Sequence, residues 1–84
     1  MADWLITWGD KSWTVEDWTV AHMTANVMCR GVDDWDFDPS KGPMRLTYLI
    51  AAFIALDEDR PIRTVVAELM ALPLSTVVAA LDVS

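Results

Sequence analysis

Eleven residues, Leu46-Thr47-Tyr48-Leu49-Ile50-Ala51-Ala52-Phe53-Ile54-Ala55-Leu56, run without a single charge. No other stretch so constrains what this chain can fold into. Pro43 precedes the run and Asp57-Glu58-Asp59 ends it, which predicts a helix over about 43–57 with the proline at its first position. Wound at the helical period, Leu46, Leu49, Ile50, Phe53, Ile54 and Leu56 cover most of the circumference. Arg45, Tyr48, Ala52 and Ala55 make a thinner stripe. A helix apolar nearly all round is wrapped by several neighbours or completed by another subunit. Eleven residues fall well short of the roughly 20 that cross a bilayer.

The rest of the chain must supply the wrapping. Its 84 residues make one domain, 1–84, small enough that folding removes only about 63% of the unfolded surface. Four of the five tryptophans lie in the first eighteen residues. There, residues 4–8 (WLITW) and 12–15 (SWTV) alternate and are rich in β-formers, and Gly9-Asp10 is a two-residue turn signal. A hairpin over about 4–15 follows, in which Trp8 opposes Lys11, Ile6 opposes Trp13 and Trp4 opposes Val15. Trp4, Ile6, Trp8, Trp13 and Val15 then share one face, and Leu5, Thr7, Ser12 and Thr14 the other. An isolated hairpin is marginal in water, so the tryptophan face must lie on the helices.

Three further helices are predicted. One runs from about 20 to 30, with Thr19 as N-cap, Gly31 as the C-terminal glycine, and Val20, Met23, Val27 and Cys29 or Met28 on its apolar side. Another covers about 61–71, with Ile62, Val65, Val66 and Leu69 inward and Arg63 and Glu68 outward. After Leu72-Pro73 a short helix over about 74–81 carries Leu74, Val77, Val78 and Leu81 at helical spacing. The fold class is α+β, mostly α-helical: a small hairpin packed on three to four helices.

Charge and chemistry exclude more than they assign. Six Lys+Arg against thirteen Asp+Glu give a net charge of −7, and the six cations are scattered, so the basic face a nucleic-acid binder needs is missing. Anionic membrane is disfavoured on the same ground. A lone cysteine cannot form an internal disulfide, and Met1-Ala2-Asp3-Trp4 has no signal-peptide character; the expectation is a soluble intracellular domain. Asp34, Asp36 and Asp38 match the first positions of a calcium loop, but Pro39 and Arg45 stand where Gly and Glu belong. The acidic segment is instead read as a solvated loop, with Asp38 or a neighbour capping the next helix. His22 and Cys29 lack a third group to make a nucleophile and enough partners to make a zinc site. No phosphate loop or Ser–His–Asp arrangement is present. The chain reads as a non-enzyme without metal or cofactor.

What remains is surface. Tryptophan is enriched at protein interfaces, and small residues permit close approach of a second helix. The candidate partner-binding residues are therefore Trp4, Trp8, Trp13, Trp18, Trp35, Tyr48, Ala52 and Ala55, serving a client helix or a second copy of the chain. If α-helix 43–57 is instead the centre of the fold, its stripe is core and the interface lies elsewhere.

Five segments occur in a telling order: Trp8-Gly9-Asp10-Lys11-Ser12-Trp13-Thr14-Val15, Glu16-Asp17-Trp18-Thr19-Val20-Ala21, Trp35-Asp36-Phe37-Asp38-Pro39, Leu49-Ile50-Ala51-Ala52-Phe53-Ile54-Ala55, and Leu72-Pro73-Leu74-Ser75-Thr76-Val77-Val78-Ala79-Ala80-Leu81. This layout resembles the short tail assembly chaperones of long-tailed, siphovirus-type bacteriophages of actinobacterial hosts. The likeness covers about 8–83; Trp18 and His22 stand where such a chain would carry an aliphatic and an acid. The resemblance implies a protein of the host cytoplasm that coats the tape measure protein, keeps it soluble and helps tail-tube subunits polymerise around it. It also implies a longer frameshifted form as partner, a homo-oligomer, absence from the finished virion, and no catalytic residues. The other reading of the same features is a virion component, a minor capsid or head-to-tail connector protein. A host-directed regulator is a third.

Overall fold

In the computed structural model, which describes residues 4–31 and 42–83 (Arg30 and Val83 by backbone alone), the chain begins with the expected hairpin. Strands β1 (Trp4–Trp8) and β2 (Lys11–Thr14) pair antiparallel with Trp8 opposite Lys11 and Ile6 opposite Trp13. Gly9 takes φ +62°, the left-handed value that a two-residue hairpin loop demands of its first residue. Period-2 alternation then does what it must: Trp4 and Ile6 are buried, Trp8 and Trp13 pack half-buried on the core, and Leu5, Thr7, Ser12 and Thr14 face out.

Val15 does not continue the strand. It opens a 3-10 turn, Val15–Asp17, because the Asp17 carboxylate reaches back to accept from the Thr14 N–H at 2.8 Å and bends the chain out of the sheet. Val15 still packs against the core, but from the turn.

Helix α1 (Val20–Arg30) has the expected limits: Thr19 caps its start, and Gly31 (φ +71°) ends it by donating to the Val27 carbonyl at 2.9 Å. Met23, Val27 and Cys29 are half-buried, but Val20, at the first position, is 75% exposed and lies off the packed face. The segment between α1 and α2, with the calcium-like aspartates, Trp35, Phe37 and the expected Asp38 cap, falls outside the described residues.

Helix α2 (Pro43–Glu58) is the centre of the molecule. Leu46, Thr47 and all residues from Leu49 to Ala55 are buried, because α1, α3 (Ile62–Met70), α4 (Leu74–Val78) and the sheet all pack on it. The one buried hydroxyl in this run, on Thr47, donates to the Pro43 carbonyl at 2.7 Å. Ala52 and Ala55, expected on a docking stripe, are 0% and 4% exposed. That stripe is core, while Leu56, expected to be covered, is half exposed. Asp59 closes the helix in the left-handed region (φ +53°), letting the Arg60 N–H reach the Ala55 carbonyl.

Helix α3 buries Val65, Val66 and Leu69, with Ile62 packed beside them and Arg63 and Glu68 outside, as its spacing predicts. The end of the chain departs from expectation. Helix α4 stops at Val78, and Leu81–Val83 form a third strand, β3. It pairs antiparallel with β1, giving the order β2-β1-β3, with Ile6 opposite Leu81. The Thr7 N–H donates to the Ala80 carbonyl at 2.9 Å, extending the junction. An edge strand carries unpaired backbone groups, and the chain end satisfies those of β1 instead of prolonging a helix. Of the apolar residues at helical spacing in α4, Val77 is buried, but Leu74 and Val78 are 62% and 49% exposed. Five residues make barely more than one turn, so one apolar residue reaches α2.

Candidate functional site

Two concave surfaces stand out. The first is an apolar groove of about 230 Å3 between the first turn of α2, the last turn of α3 and α4. Local sequence builds it. The end of α3 tightens through N–H bonds from Ala71 to Glu68 and from Leu72 to Leu69, and Pro73 keeps Leu72 from continuing as helix. The chain then re-enters as α4 alongside. Met44, Met70, Leu72 and Leu74 line the groove at 40–62% exposure over a floor of Leu69 and Val77. No charged side chain lines it.

The second is a recess of about 320 Å3 under the hairpin, lined by Trp13, Asp17, His22, Phe53, Leu56 and Asp57. Phe53 is its anchor. Trp13 stacks parallel on it at 4.9 Å, His22 lies at 4.7 Å, and Trp4 and Trp18 meet it edge-on at 6.1 and 5.3 Å. His22 also stacks on Trp18 at 5.4 Å. Its Nδ1 accepts the Thr19 N–H at 3.0 Å, so the imidazole serves as the reciprocal cap of α1 and carries its proton on Nε2. Burial holds the His22 pKa below its ordinary value, against the opposing pull of Asp17.

Charges pair between hairpin and helices at the neighbouring cleft of about 350 Å3. Lys11 bonds Asp57 and Glu58, and Arg60 bonds Glu68 and Glu58. The Asp57 bond, then the Glu58 bond, raises the Lys11 pKa; Lys11 and then Arg60 lower that of Glu58; Glu68 and then Glu58 raise that of Arg60. Such exposed pairs stabilise little each, but they tie β2 and α3 to the end of α2.

The sequence-derived candidates scatter over this frame. Trp4, Ala52 and Ala55 are buried and offer a partner nothing in the folded monomer. Trp8, Trp18 and Tyr48 are half-buried and packed on the core, with Trp8 also bordering the charged cleft. Trp13 alone lines the aromatic recess, and Trp35 lies outside the described residues. The groove residues Met44, Met70 and Leu72 escaped sequence reasoning, which placed Leu74 only among the apolar residues at helical spacing on the last helix. Apolar residues on both sides of a helix-breaking proline were the available signal. Among the described residues no three His, Cys, Asp or Glu side chains gather as a metal site requires. The hydrogen bonds of His22 go to Thr19, not to Cys29, which packs half-buried on the core.

No protein-family model matches the chain, and no curated protein or solved structure is found similar to it. Among the described residues no helix is long and apolar enough to cross a membrane.

Proposed function

We propose that the protein is a non-enzymatic tail assembly chaperone, binding the tape measure protein of a long-tailed phage in the host cytoplasm and assisting tail-tube assembly. The observation that supports this reading is the uncharged, methionine-lined groove beside α4 in a chain of net charge −7. Exposed apolar surface gathered in one place marks a protein-binding site, and methionine side chains adapt to varied apolar partners. Net negative charge keeps such a complex dispersed. The order of sequence features, which resembles that of these chaperones, supplies the identity of the client. In this role the chain self-associates and meets its longer frameshifted form, and it leaves before the virion is finished.

Co-expression tests the proposal. The tape measure protein of the same genome should stay in the supernatant and co-purify with this protein, and Leu74→Asp with Met70→Asp should return it to the pellet. Purified particles should lack the protein by mass spectrometry. Fixed copy number in the particle, with no effect on client solubility, would establish the virion component instead.

A further inference from the structure

The aromatic recess has a chemistry that the apolar groove lacks. Its walls are the faces and edges of Trp13, Phe53 and His22 with the aliphatic Leu56, and its rim carries two carboxylates, Asp17 from the 3-10 turn and Asp57 from α2. An apolar occupant would strip water from both carboxylates without replacing it, which is costly. An anion would meet them as like charges. A cation on an aliphatic stem satisfies every wall: the stem lies against Leu56 and the rings, and the charge sits between the carboxylates near aromatic faces, where cations are attracted.

Hydrogen bonding within the molecule leaves room for this. Asp17 uses Oδ2 to accept from Thr14, and Asp57 uses Oδ2 to accept from Lys11; the Oδ1 atoms accept no bond from the described residues. Among the described residues Lys11 pairs with Asp57 and Glu58, and Arg60 pairs with Glu58 and Glu68. The volume, about 320 Å3, lies at the small end for ligand pockets and suits one long side chain entering from an open mouth.

We propose that this recess seats a lysine or arginine side chain of the bound client, making it a charge-reading contact separate from the apolar groove. The inference rests on the reading of the protein as a client binder, and it narrows the client to a helical segment that combines an apolar face with a basic residue. Neutral His22, whose pKa burial lowers, puts no competing cation in the wall at pH 7. Among the described residues the charged groups that line the recess with it are Asp17 and Asp57, the latter bonded to Lys11.

The test uses the full-length protein and n-butylammonium, with butan-1-ol as its neutral counterpart, followed by the indole and amide resonances of Trp13, Asp17 and His22. Butylammonium should shift these saturably at pH 7 and butan-1-ol should not. Asp57→Asn, at an exposed side chain, and Asp17→Asn should together weaken binding about threefold to tenfold, while Glu68→Gln changes nothing. Should the double variant lose its fold, Asp57→Asn alone and added salt must each weaken the binding. Equal shifts from both probes, none from either, or binding indifferent to Asp57 would overturn the proposal. A pair of apolar helical peptides, one with a central lysine and one with norleucine there, separates the two readings. Equal binding of both peptides removes the basic-residue contact and keeps the groove. Binding of neither peptide, with butylammonium still bound at the recess, removes the groove reading and keeps the recess.

Discussion

Helices α2 and α4 are both apolar by sequence, yet one is enclosed and the other is mostly bare. In α2 every residue from Leu49 to Ala55 is buried, whereas α4 buries Val77 and leaves Leu74 and Val78 in solvent. Length and number of neighbours make the difference. Sixteen residues give α2 a long cylinder against which α1, α3, α4 and the sheet can all pack. Five residues give α4 one contact face, with a strand beginning three residues later. Apolar spacing states which side chains would benefit from burial. It does not supply the partners.

The contrast breaks most severely if a charge enters α2. Ala52→Glu places a carboxylate at a position with 0% exposure, and an unpaired buried charge costs enough to exceed the 5–15 kcal/mol, roughly, that holds a domain together. The variant should show no cooperative melting; a folded variant would mean that α2 can turn its stripe outward. Next in size is Phe53→Ala, which empties the site that Trp4, Trp13, Trp18 and His22 share, at about 3–5 kcal/mol. A urea midpoint within error of the parent would refute its place as anchor.

His22 gives a smaller, pH-dependent effect. Its pKa is lowered in the fold, so below the ordinary value of about 6.5 the unfolded chain binds a proton that the folded chain resists. Stability from this group is therefore complete above pH 6.5 and declines as pH falls toward the folded pKa. Imidazolium cannot accept the Thr19 N–H, so the cap, worth about 1 kcal/mol, goes with it. Melting temperatures of the parent and of His22→Gln, which keeps an acceptor but does not titrate, should diverge between pH 7 and pH 5; parallel curves would remove the cap from the account.

The smallest stability effect is expected in α4. Leu74→Ser, at a side chain 62% exposed, should change unfolding free energy by less than about 0.5 kcal/mol while weakening client binding. A large loss of stability would place Leu74 in the core after all and close the comparison between the helices.

Much of the fold was legible because it rests on short-range rules. Alternation and Gly9-Asp10 determined the hairpin and its register, Thr19 and Gly31 the limits of α1, and the uncharged run from Leu46 to Leu56 the element that had to be central. Other features depended on neighbours brought from far along the chain. Whether Ala52 and Ala55 met a partner or their own core was decided by how closely α2 was surrounded. Leu81–Val83 became a strand because β1 had an edge left to pair, a requirement not contained in the residues 74–83 themselves. The aromatic recess needed Trp13, Asp17 and His22 brought from three elements onto Phe53 and Asp57 of α2. Local sequence determines backbone preference and which side chains seek burial; only the closed tertiary structure determines which of them find it, because that depends on how much apolar surface the other elements have left to offer.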